Sequence, residues 1–114
     1  MKGTTMLNRS VLIVRPRQPF IDWAAGLEGD AALPTVEDEQ TVYLIPAYED
    51  EDEAEAVLEA VWEDVFEKEL WSWHTAEAGW PKQRTLDLFK QWFDIERHSV
   101  VEDVCGDEIV DDGL

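Results

Sequence analysis

The sequence predicts an α/β domain, with α+β as its near variant. The architecture expected is a two-layer sandwich, a three- to four-stranded sheet with helices mainly on one face. Three observations lead there. β-branched runs alternate with stretches of helical spacing in the order β-α-β-α-α-β, which favours a sheet covered by helices. The 114 residues are 45% apolar, near the ordinary globular share, so one core over residues 1–114 is expected, with 1–8 and 105–114 as flexible ends. With only three clear strands, covering one face of the sheet is the economical solution.

Val11-Leu12-Ile13-Val14 is a continuous apolar run of the kind a buried strand presents. Pro16 and Pro19 stop that strand, and Pro19 can open a helix. Phe20, Ile21, Trp23, Ala24 and Leu27 then follow at helical spacing, with Gly26 or Gly29 to close the helix. Residues 28–40, rich in Gly, Asp, Pro and Glu, read as a surface loop. Thr41 to Ile45 is β-branched and aromatic, a second strand limited by Pro46.

The clearest helix covers about residues 51–71, where Ala54, Val57, Leu58, Val61, Trp62, Val65 and Phe66 repeat at three and four. Leu86, Leu88, Phe89, Trp92 and Phe93 form a shorter amphipathic helix, and a third strand is expected around 97–104. Ile109-Val110, between acidic pairs, is either a brief edge strand or a frayed tail. Strands separated by helices favour parallel pairing with right-handed crossovers, and parallel pairing is therefore expected here.

Charge narrows the function classes. The formal net charge is −18, from 27 acids against 9 Lys and Arg. A chain of that sign repels phosphates and anionic lipid, so neither nucleic acid nor a membrane surface is an expected direct partner. No run is long and apolar enough to suggest a membrane span, and the first residues do not read as a secretory signal. Cys105 is the single cysteine, which excludes an internal disulfide and suits a reducing cytoplasm. The acids are concentrated: residues 22–80 hold eighteen of them against Lys68 alone, whereas residues 1–21 hold four bases and no acid.

Within that region Glu55, Glu59, Glu63 and Glu67 form an i,i+4 ladder on one face of the long helix. Like charges at this spacing cost about 0.2–0.5 kcal/mol per pair. Asp50 to Glu53 return part of this by complementing the helix dipole. A face of one sign that opposes its own helix points to a basic partner. Eleven acids between Glu49 and Glu69 approach the charge spacing of one DNA strand, so a DNA-binding protein is one form that partner could take. Trp71 and Trp73 cannot share one helix face, which leaves one of them accessible for binding. The expected partner-binding residues are Asp52, Glu55, Glu59, Glu63, Glu67, Trp71 and Trp73. The expected function is non-enzymatic capture of a basic protein surface.

The alternative is a small metal-dependent enzyme using His74, His98 and nearby carboxylates, with Glu77 at i,i+3 from His74 and Cys105 as further ligands. Zinc sites need three or four ligands, and neither CxxC nor HxxxH occurs to anchor one. No phosphate loop, nucleophile elbow or dinucleotide fingerprint is present, and no cofactor is expected. The stretches Val11 to Pro16 with Pro19 to Trp23, Thr41 to Pro46, and Phe89 to Asp94 resemble those of small acidic bacterial proteins to which no activity is attached. The resemblance implies a cytosolic bacterial protein and no catalytic residues.

Overall fold

The computed structural model describes residues 5–27 and 40–113. Its elements are β1 (Thr5–Met6), β2 (Arg9–Pro16), α1 (Gln18–Ala25), β3 (Thr41–Pro46), α2 (Glu51–Trp73), a 3-10 turn at Glu77–Gly79, α3 (Leu86–Trp92), β4 (Phe93–His98) and β5 (Glu102–Asp103). The fold is α+β. The main sheet has the order β3-β2-β4, and β1 pairs with β5 in a separate two-stranded ribbon.

The long apolar run belongs to the central strand. On β2, Ser10, Leu12, Val14 and Pro16 are buried, while Val11, Ile13 and Arg15 on the opposite face are only half-covered. The register places Leu12 opposite Tyr43 and Arg97, and Val14 opposite Thr41 and Ile95, so one face of all three strands meets the helices. Among the described residues the other face carries no helix, and Val42 and Leu44 stand 59% and 52% exposed there. Helices on one face of a three-stranded sheet are the arrangement the element order favours.

The pairing is antiparallel throughout, which corrects the parallel expectation. β3 and β4 both run opposite to β2, so they run parallel to each other. They are joined by the crossover of α2 and α3 that a parallel pair requires. The central strand β2 is inserted between them, so the parallel strands never meet. Helical spacing between strands identified the crossover correctly and its neighbours wrongly.

The helix ends follow from local chemistry. α1 has Pro19 in its first turn and ends at Gly26; Gly29 and most of the loop expected over 28–40 lie outside the described residues. The Asp50 side chain caps α2 by accepting from the Glu53 N–H at 2.8 Å, while Glu53 reaches back to accept from the Glu49 N–H at 2.7 Å. Thr85 caps α3 through the Leu88 N–H. Phe93, expected at the end of that helix, is extended and buried as the first residue of β4. Spacing of four from Phe89 suits both roles, and burial opposite Pro16 selects the strand. The strand expected around 97–104 is therefore β4 at 93–98 and the two-residue β5. Ile109 and Val110 are exposed and belong to neither helix nor strand.

Between the layers lies a core of Leu12, Val14, Phe20, Ile45, Leu58, Val65, Phe66, Leu70, Trp80, Phe89 and Phe93. Its centre is aromatic: the rings of Phe20, Phe66, Phe89, Trp92 and Phe93 meet at centroid separations of 5.2–6.2 Å in tilted or edge-on contacts. Ser10 is fully buried yet satisfied. Its hydroxyl donates to the Ser99 carbonyl and accepts from the Tyr48 N–H, both at 3.1 Å.

Candidate interaction face on helix α2

Helix α2 is 23 residues, about 34 Å, and it carries most of the candidate residues. Their side chains fall into two groups that the sequence pattern did not separate. Arg97 of β4 donates to Glu51 at 2.6 Å and to Glu55 at 2.9 Å, and Lys90 of α3 lies 3.7 Å from Glu55. The Arg97 hydrogen bond, helped by the Lys90 charge, holds the Glu55 carboxyl below its ordinary range. Arg84 donates to Glu67 at 3.3 Å while its guanidinium lies over the Trp80 ring, 5.7 Å from the centroid. Two members of the expected ladder thus fasten α2 to β4, α3 and the loop before α3.

Glu59 and Glu63, the other two members, are exposed and meet no cation among the described residues; so are Asp52 and Asp64. Glu69 is of a different kind. It is 6% exposed and accepts a hydrogen bond from the Tyr43 hydroxyl. Of the eleven acids from Glu49 to Glu69, Asp50 and Glu53 serve the helix start, Glu51, Glu55 and Glu67 bind arginine, and Glu69 binds Tyr43. The arginines offset the charge of Glu51, Glu55 and Glu67, and the DNA-like charge density inferred from the bare count is lowered by those three.

The two tryptophans also separate. Trp71 is 52% exposed with the Lys68 ammonium over its ring, 5.4 Å from the centroid. Trp73 packs against the core. The solvent face of α2 therefore presents Asp52, Glu59 and Glu63, with Trp71 at its C-terminal end.

The candidate ligands are dispersed. His74 follows α2, and its ring packs edge-on to Trp23 at 6.5 Å, in the space left by the missing side chain of Gly79. A Cβ on Gly79 would stand 2.8 Å from His74 Nε2. The surrounding loop is tied by two indoles: Trp23 Nε1 donates to the Gly79 carbonyl at 2.9 Å, and Trp80 Nε1 to the His74 carbonyl at 2.8 Å. Glu77 lies in the exposed 3-10 turn and Cys105 is exposed beyond β5. His98 ends β4 on the uncovered sheet face, hydrogen-bonded to Glu96. That bond, and after it the one from Arg15, keeps the Glu96 carboxyl below its usual range. Among the described residues no three His, Cys, Asp or Glu side chains gather as a metal-binding group. No helix among them is long and apolar enough to cross a membrane.

A groove of about 230 Å³ runs between β3 and α2, lined by Tyr43, Leu44, Ile45, Val61, Asp64 and Val65. Sequence reasoning missed it, because strand and helix each supply only half of it.

No family model, curated protein or solved structure matches this chain.

Proposed function

We propose that the protein is a non-enzymatic, acidic interaction protein of the cytoplasm. Its α2 solvent face docks a basic protein surface. The supporting observation is the division of labour along one helix. Six acids between Glu49 and Glu69 are bound to other groups of the chain, whereas Asp52, Glu59, Glu63 and Asp64 face solvent without a cation among the described residues. Glu59 and Glu63 repel each other at i,i+4, and no cation among the described residues offsets that repulsion. Trp71 adds an aromatic anchor to the end of the charged row. Charge of this kind speeds encounter and sets specificity more than it adds affinity.

The partner is a protein with a Lys- and Arg-rich face, and a DNA-binding protein is a special case of it. The test is capture from lysate at low salt by the wild type, by an Asp52→Asn/Glu59→Gln/Glu63→Gln variant and by a Glu55→Gln/Glu67→Gln variant. The first variant loses the partner and the second keeps it. Release follows as the screening length shortens from about 30 Å at 0.01 M to about 10 Å at 0.1 M salt. Equal capture by the wild type and the first variant refutes the reading. Duplex DNA competes for the partner if that partner binds DNA.

A further inference from the structure

The groove between β3 and α2 lies beneath a strand edge that is unpaired among the described residues. In the order β3-β2-β4 only one side of β3 is paired, and among the described residues no backbone group pairs with the other. Exposed edges are usually blunted by charged side chains. β4, at the opposite edge, conforms, with Asp94, Glu96, Arg97 and His98 along its length. β3 reads Thr-Val-Tyr-Leu-Ile-Pro and carries no charge at all. Its side chains toward the open face, Val42 and Leu44, continue an apolar row with Ile13 and Val11, their direct partners on β2. Beneath the edge the groove offers about 230 Å³, more than the roughly 150 Å³ that holds a benzene-sized group. Its single charged lining residue is Asp64, an acid without a cation among the described residues.

We propose that this edge and groove bind an extended, apolar and basic segment of a partner protein as an added strand. The inference rests on the reading of α2 as the partner-binding helix and specifies how part of that partner is held. Peptide groups of β3 that point away from β2 need an extended backbone opposite them, which a docked helix cannot supply. Alternate side chains of the added strand lie beside Val42 and Leu44 or enter the groove. There a long Lys or Arg stem covers Tyr43 and Val61 while its charge meets Asp64. Charge decides against a second copy as the occupant, since each copy carries −18 and would bring acid to acid at the groove. Pro46 sets one end of the site, giving it six residues, about 20 Å.

The test uses the full chain and a synthetic, end-capped octapeptide of alternating valine and lysine. Two controls are the same peptide methylated on alternate backbone nitrogens and a version with glutamate for lysine. Amide shifts and hydrogen exchange are read by NMR at low salt. The peptide slows exchange of alternate amides within Thr41 to Ile45 by about tenfold or more. Backbone methylation and the glutamate peptide each abolish the effect, and Asp64→Asn weakens binding several-fold. Shifts confined to α2, indifferent to backbone methylation, overturn strand addition and leave the α2 reading standing. Binding to neither element overturns this proposal, while the lysate capture still judges the α2 face separately. β3 amides already protected without peptide overturn it too, and protection that grows with protein concentration identifies a second copy as the occupant.

Discussion

The Tyr43 hydroxyl, on the outer strand β3, donates a hydrogen bond to the buried carboxylate of Glu69 on α2. It is a link between the sheet edge and the helix that defines the candidate face. Burial first, and then the Glu69 hydrogen bond and charge, push the Tyr43 ionisation well above its ordinary value of 10.0. The folded protein thus holds Tyr43 neutral under conditions where an unfolded chain would release its proton.

The pH dependence follows in sign. A group whose folded pKa is raised contributes stability that is full below the unfolded pKa and is lost as pH rises through the folded one. The Tyr43 contribution is therefore intact to about pH 10 and falls above it. Tyr43→Phe removes this alkaline limb and strips Glu69 of a donor, at a cost of about 1–3 kcal/mol at neutral pH. Urea unfolding at pH 7 and pH 10.5 measures both, and an identical alkaline slope in the variant contradicts the assignment.

Opposite stability effects are expected within one ladder. Glu59→Gln or Glu63→Gln relieves a like-charge pair and stabilises by about 0.2–0.5 kcal/mol, an effect that shrinks with added salt. Glu55→Gln and Glu67→Gln instead weaken ion pairs to Arg97, Lys90 and Arg84, and destabilise by about 0.5–1 kcal/mol. Thermal melts at low and high salt separate the two pairs of variants. A common sign for all four would contradict the division.

Arg97 joins β4 to two turns of α2, so Arg97→Met costs about 1 kcal/mol at low salt. Because the Glu55 carboxyl is held below its ordinary range, the wild type's advantage over this variant is full above about pH 4.3. It disappears as pH falls through the depressed value. Denaturant midpoints of the two proteins between pH 3 and 7 give the difference, and most of the general repulsion of the acidic chain is common to both, the variant differing by one charge.

Ser10→Ala leaves the Ser99 carbonyl and the Tyr48 N–H without their hydroxyl partner, and destabilises by about 0.5–1.5 kcal/mol. The same substitution loosens the chain where β3 passes into α2 and where β4 passes toward β5. Hydrogen exchange at Tyr48 is the direct readout, and its amide exchanges faster in the variant before global stability is lost.

What could be read from the residues depended on the range of the interaction involved. Helix α2 was legible because its stripe and its Asp50 cap are local, and β2 because an uninterrupted β-branched and apolar run is a local mark of a strand at the core. Strand direction was not, since alternation states which face a side chain takes and not which strand lies beside it. The insertion of β2 between β3 and β4 leaves no local mark. The ladder was over-read for the same reason: Arg97 lies 42 residues from Glu55 and Arg84 lies 17 from Glu67, and no periodicity along α2 reveals either partner. His74 and His98 carried ligand chemistry in the sequence, but one is held against Trp23 and the other against Glu96.

The position of Trp71 gives the protein a built-in optical probe. Trp80 is buried, and Trp23, Trp62, Trp73 and Trp92 are partly sheltered against the core, so long-wavelength emission and iodide quenching report mainly on the one indole that lies beneath Lys68. Anything that covers the end of α2 shifts that emission to the blue and shields it from the quencher. Occupancy of the face is therefore measurable in solution with no label attached.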